Sequence, residues 1–162
     1  MYYSKYNSPL GEIEIITTEK TLIYLNFSDG RYLKKIEENY KNEEILIIKE
    51  TKNWLDVYFS GKEPIKLPNI ILEGTEFQKQ VWNELLKIPY GKTITYSEIA
   101  NKIAKIRNLD KMSSRAVGSA VGKNSISIIV PCHRVIGKNG SLTGYGGGIF
   151  RKEALLKIEK IL

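Results

Sequence analysis

The chain has 162 residues, 42% of them hydrophobic, with one Cys, one His and a formal net charge of +7. Roughly 70% of the unfolded surface can be buried at this length, so a core needs no covalent staples. One Cys and one His exclude an internal disulfide and cannot supply the three or four N/S ligands of a zinc site, so no structural metal is expected.

The predicted elements run as follows. After the turn at Ser8-Pro9-Leu10-Gly11, Ile13, Ile15 and Thr17 alternate on one face, and Leu22 to Phe27 forms a second run before Asp29-Gly30. Both read as paired antiparallel strands. Helices are expected over about Arg31 to Tyr40 and Ile47 to Phe59, and the Pro- and Gly-punctuated stretch Lys62 to Gly74 reads as a linker. Thr75 can cap a core-facing helix bearing Phe77, Val81, Trp82, Leu85 and Leu86, stopped at Pro89-Tyr90-Gly91. Thr95-Tyr96-Ser97-Glu98 fits a capping box that opens a short helix through Ile99 and Ile103. Ser113 to Gly122 supplies the next helix, with Arg115 near its start and small residues along it. This pair suggests a helix-turn-helix variant, in which small side chains allow close approach to a nucleic-acid groove or, equally, to another helix. A last helix runs from Arg151 to Glu159.

Charge is divided unevenly along this order. Residues 1–72 hold 10 Lys/Arg and 11 Asp/Glu, whereas residues 73–162 hold 15 and 7. The asymmetry suggests a polyanion-binding second half. No apolar run approaches the roughly 18 residues that cross a bilayer, and Met1 to Lys5 begins no secretory apolar region, so the protein is expected in the cytoplasm, away from membranes.

Chemistry concentrates in Ile128-Ile129-Val130-Pro131-Cys132-His133-Arg134-Val135-Ile136, where apolar runs flank the only Cys and the only His. A thiol needs a base or cation beside it to become a nucleophile, and His133 and Arg134 are at hand. On an extended strand adjacent side chains diverge, so Cys132 and His133 communicate only if the chain turns here or through a water. Glu159, among Leu155, Leu156, Ile158 and Leu162, is a candidate to orient the imidazole. Gly144-Tyr145-Gly146-Gly147-Gly148 lacks the Lys-Ser/Thr ending of a phosphate loop and reads as a lid over a ligand or a surface loop, with Tyr145 as an aromatic wall.

Pro131-Cys132-His133-Arg134-Val135, together with Arg115-Ala116-Val117-Gly118, Asn124, Gly144-Tyr145, Glu159 and the stretch Ile88 to Tyr96, strongly resembles the O6-alkylguanine-DNA alkyltransferases. The resemblance covers Thr75 to Glu159 and, more loosely, the Ser8-Pro9-Leu10-Gly11 opening. It implies an α/β fold: a small ribonuclease H-like α/β lobe with an antiparallel sheet (1–72), then a mostly helical, winged-helix-like domain with a helix-turn-helix (73–162). It also implies direct-reversal DNA repair, in which Cys132 takes the alkyl group from O6-methylguanine, and from O4-methylthymine, once and irreversibly. His133 would act through a water, Glu159 would orient His133, Asn124 would hold the turn, and Tyr96 would protonate or hydrogen-bond N3 of the departing base. Arg115 would fill the gap left by a flipped nucleotide, and Ala116, Gly118, Ser119, Lys123 and Tyr96 would meet the minor groove of double-stranded DNA. Val135, Tyr145, Gly146 and Gly147 would form the base pocket, with the carbonyls of Cys132 and Val135 accepting from the guanine amino group and the Gly146 N–H donating to O6. The resemblance further implies a monomer with no obligate protein partner. Lys105 to Ser114 is longer than usual for the family, and Gly146 stands where Ser is common. Three rivals fit less well: a lesion-flagging relative, which lacks the Cys; a major-groove regulator, which needs more polar base-reading side chains; and a cysteine hydrolase, which leaves the basic half unexplained.

Overall fold

Gly11, at φ +118°, closes the first turn, where Ser8 Oγ donates to the Gly11 carbonyl and accepts from Leu10 N–H. The computed structural model describes residues 1–31 and 33–162. The turn joins β1 (Tyr2–Ser8) to β2 (Gly11–Thr17), which pairs with β3 (Leu22–Phe27), all antiparallel. Ile13 and Ile15 lie opposite Phe27 and Leu25, so one face of the sheet carries the main core. Strand β1 was not foreseen: Ser4 occupies a buried position in it and spends its hydroxyl on Glu44 at 2.6 Å, so a polar residue masks the alternation.

The helix expected over Arg31 to Tyr40 does not form over 33–40, and Tyr32 lies outside the described residues. Ile36 and Tyr40, four apart, mimic a helical stripe. They instead cover the second face of the sheet with Tyr3, over Ile16, Ile23 and Tyr24. The backbone finds its partners across the edge of β1, where Tyr3 N–H donates to the Lys41 carbonyl (2.9 Å) and Lys41 N–H to Met1 (3.1 Å). Open sheet edge and bare apolar face outweigh a weak local helical preference.

Helix α1 (Leu46–Phe59) buries Ile47, Ile48, Thr51, Trp54, Leu55 and Tyr58, one stripe at helical spacing. Residues 62–74 carry no helix or strand beyond one isolated bridge to Leu22. Helix α2 (Glu76–Leu85) starts at a full capping box of Thr75 and Gln78. Its Trp82 donates to the Ala120 carbonyl at 2.8 Å. Strand β4 (Ile94–Thr95) leads into α3 (Tyr96–Ile106), capped reciprocally by Thr95 and Glu98 as their spacing predicted. Ser113 caps α4 (Ser114–Gly122), which packs on α3 and α2 through Val117, Ala120 and Val121. The short strand β5 (Val135–Ile136) runs parallel to β4, and α5 (Ile149–Ile158) follows. The molecule is thus a mixed α/β fold, a three-stranded antiparallel sheet with α1 followed by a mostly helical second half. No helix of the described residues is long and apolar enough to cross a membrane.

Candidate active site

The β4–β5 pair brings the site together. Tyr96 follows β4 directly, and β5 is preceded by a single 3₁₀ turn, Cys132–Arg134. The chain therefore turns at the Cys-His pair, the condition for their cooperation. Consecutive tight turns build this bend: Val130 N–H donates to Ile126, and Cys132 N–H to Val130. Ile128 sits at φ +70°, a costly conformation for a β-branched residue, on the order of 1–3 kcal/mol. From the other lobe, Leu25 in β3 brackets the segment, donating to the Ser125 carbonyl (2.9 Å) and accepting from Ser127 N–H (2.7 Å).

Asn124 is buried and ties the bend to the thiol. Its Nδ2 donates to the carbonyls of Val130 (2.8 Å) and Ile126 (3.3 Å) and approaches Cys132 Sγ at 3.1 Å, while its Oδ1 accepts from Ile126 N–H. Burial pushes the Cys132 thiol up, while the Asn124 hydrogen bond and the Lys152 charge pull it down. The resting group is a protonated thiol that needs a base.

His133 is fully buried beside it. Its Nε2 lies 2.6 Å from Glu159 Oε1, and its Nδ1 is buried with no partner among the described residues. Burial lowers the imidazole pKa, against Glu159, so the ring is neutral at pH 7 with its proton on Nε2, facing the carboxylate. The Nδ1 lone pair is left to accept a proton. Glu159 caps the C-terminus of α5. Tyr58 Oη donates to Oε1 (2.8 Å), Arg134 spans both oxygens (Nη2 to Oε1 3.1 Å, Nε to Oε2 2.9 Å), and Gly91 N–H donates to Oε2 (3.1 Å). Burial alone would raise this carboxyl, but the His133 and Arg134 interactions outweigh it and hold it at about 2. Arg134 is therefore not the cation beside the thiol: its guanidinium is spent on Glu159 and the Ile88 carbonyl.

Lys152 takes that place, a residue the sequence did not single out. It is fully buried, and its ammonium donates to the carbonyls of Val135 and Thr143 and lies 5.8 Å from the Tyr96 ring centroid. Burial lowers its pKa to about 8, and a thiolate at Cys132 would draw it back up. Tyr96 Oη donates to the same Thr143 carbonyl at 2.9 Å, and burial pushes this hydroxyl up. The Gly118 Cα faces the Tyr96 ring from α4, and Arg115, Ser119 and Lys123 are exposed on the same helix and its C-cap, with Ala116 half-buried.

In the glycine run, Gly144 and Gly148 adopt φ of +70° and +93°, and Tyr145 is buried. Gly147 touches the Tyr145 ring so closely that a Cβ there would sit 2.7 Å away. The Gly146 carbonyl accepts from Arg31 N–H, and its own N–H has no partner among the described residues. The carbonyls of Cys132 and Val135 already accept from Val135 N–H and Lys152, each keeping one lone pair. Tyr58 and Lys152 escaped the sequence reading because neither carries a local signal: Tyr58 looks like one more apolar residue of α1, and Lys152 like a surface lysine.

A neutral imidazole anchored on a carboxylate, beside a buried thiol held by an amide, defines a protein built around one nucleophilic cysteine. Comparison with known proteins narrows the class. Residues 1–68 match the ribonuclease-like domain, and residues 76–161 the DNA binding domain, of 6-O-methylguanine DNA methyltransferase, and the chain belongs to that family. A methylated-DNA–protein-cysteine methyltransferase of Methanosarcina acetivorans is 46% identical over 160 residues, covering 98% of each chain. Its counterpart in Haemophilus influenzae is 38% identical, covering 99% of this chain and 87% of that one. Among solved structures, Mycobacterium tuberculosis OGT in complex with DNA superposes with a TM-score of 0.85 at 39% identity, over 99% of this chain and 93% of the other.

Proposed function

We propose that the chain repairs alkylated DNA by direct reversal, moving the alkyl group of O6-methylguanine, and of O4-methylthymine, onto Cys132 in a single irreversible turnover. One observation carries the reading: Asn124 meets the thiol, while His133 is neutral, fixed at Nε2 by Glu159 and open at Nδ1. In the step, a water passes the thiol proton to His133 Nδ1 and Sγ attacks the alkyl carbon. The C–O6 electron pair stays with guanine, which takes a proton at N3 from Tyr96, and solvent returns the His133 proton to Tyr96. The product is a thioether, which offers water no electrophilic carbonyl, so the protein acts once and needs no cofactor or metal.

Residues 1–72 form the ribonuclease H-like domain and 73–162 the DNA-binding domain. The target nucleotide is flipped from the duplex, Arg115 filling the gap, while Ala116, Gly118, Ser119 and Lys123 lie along the minor groove. The exposure of Arg115, Ser119 and Lys123 supports this assignment. Val135, Tyr145, Gly146 and Gly147 surround the flipped base; the unpartnered Gly146 N–H supports its role as donor to O6. The protein works as a cytoplasmic monomer without an obligate protein partner.

Mass spectrometry after incubation with duplex DNA carrying O6-methylguanine tests the reading. One methyl appears on the Cys132 peptide, guanine is restored, and Cys132→Ser gains nothing. Tight binding to the lesion without transfer would overturn it.

A further inference from the structure

Arg151 was not assigned a role by the sequence, yet its guanidinium reaches backbone and side-chain acceptors in both halves of the chain. Nε donates to the Leu10 carbonyl (2.8 Å) in the β1–β2 turn and Nη1 to the Gly147 carbonyl (3.0 Å) in the glycine run. Nη1 and Nη2 grip both oxygens of Asp29 at 2.8 and 3.0 Å. The plane is flanked by aromatic rings, with Cζ 4.2 Å from the Phe27 centroid and 4.8 Å from that of Phe150. Gly11 is shaped to this neighbour: besides its φ of +118°, a Cβ there would lie 2.8 Å from Nη2. A step further along, Arg31 N–H holds the Gly146 carbonyl at 3.0 Å. Phe27 and Gly30 from the N-terminal lobe, with Gly146 and Gly147, line the same narrow cleft as Cys132, whose free volume of about 10 Å³ has room for one water.

We propose that Arg151 is a positioning residue, which clamps the Leu10–Gly11 and Asp29 turns of the N-terminal lobe onto the Gly146–Gly147 backbone and so makes that lobe a fixed wall of the alkyl-transfer site. The proposal rests on the alkyl-transfer reading and deepens it. Arg151 touches no reacting atom. It holds peptide groups whose direction decides whether a substrate oxygen meets a donor, and small misplacements of such groups are costly in rate.

Single-turnover transfer from duplex DNA containing O6-methylguanine, at rising protein concentration, separates DNA affinity from the saturating rate. With Arg151→Lys, which loses the fork, the saturating rate falls about tenfold or more while Kd stays within about twofold. With Asp29→Asn, at an exposed position that spares the fold, it falls about two- to fivefold, and hydrogen exchange of the Arg31 and Gly148 amides, which donate to the Gly146 and Tyr145 carbonyls, quickens in both. The double variant is no slower than Arg151→Lys alone. Full saturating rates with unchanged exchange, or a loss confined to Kd, overturn the clamp. Absence of transfer in the unsubstituted protein would instead overturn the reaction itself.

Discussion

Glu159 shows how much one side chain can organise. Its side chain is sealed from solvent, and its carboxylate receives donors from Tyr58, Gly91, His133 and Arg134. Held at about 2 in the fold against 4.5 for the free group, it is depressed, so its stabilising contribution is complete above pH 4.5 and lost as pH falls toward 2. That difference corresponds to about 3 kcal/mol. His133, whose pKa is lowered, adds a loss of the same sign: the unfolded chain takes up a proton as pH drops through about 6.5, while the buried ring does not. Urea unfolding midpoints should therefore decline steadily from pH 7 to pH 3, and Glu159→Gln should flatten the lower part of that curve. An unchanged midpoint down to pH 3 would show that the carboxylate's partners do not act as the geometry says. At this scale the sequence singled out Cys132, His133 and Glu159, and the fold brings the last two into contact. It assigned Arg134 to the wrong neighbour and overlooked Tyr58, because adjacency along the chain says nothing about which way a side chain leaves a 3₁₀ turn.

Helices were legible where their ends are written locally. Thr75, Thr95 and Ser113 each cap the helix they precede, since a cap needs only a side chain and the N–H groups of the next turn. Residues 33–40 were misread because their fate is decided by an apolar sheet face assembled from Tyr3, Ile16 and Tyr24, which no local window contains. Helix α4 illustrates a conflict between stability and function. Gly118 costs about 1 kcal/mol relative to Ala inside a helix, and a Cβ at this position meets the Tyr96 ring at an ordinary 3.7 Å. Gly118→Ala should raise Tm while weakening binding to lesion-bearing duplex, because the added methyl stands on the face proposed to lie against DNA. Calorimetry and a binding titration on the same preparation decide it; higher Tm with undiminished DNA affinity would remove α4 from the groove.

For the whole molecule, charge and architecture divide the labour. The second half carries a net +8 and the first −1, so the half proposed to lie on DNA is also the one that holds the excess positive charge. Raising salt from 50 to 200 mM should weaken duplex binding about a hundredfold or more if several lysines and arginines displace counterions. The saturating transfer rate should hardly move, because Cys132, His133 and Glu159 are buried and little screened. A salt-insensitive affinity would mean that the basic half does not face the phosphates. The change of charge across the Pro-punctuated stretch 62–74 stands in the sequence itself. The contacts of Arg151 across it do not, since Arg151 lies 141 positions from Leu10 and 122 from Asp29.

The partners of Glu159 lie 25, 26, 68 and 101 positions away from it along the chain. A ribosome working from the N-terminus delivers Cys132 before Glu159 has been joined. In that interval the imidazole has no anchor, and the thiol is an ordinary one on an unfinished chain. The proposed relay from thiol to imidazole is therefore complete only when the same closure that seals the core brings the carboxylate to His133.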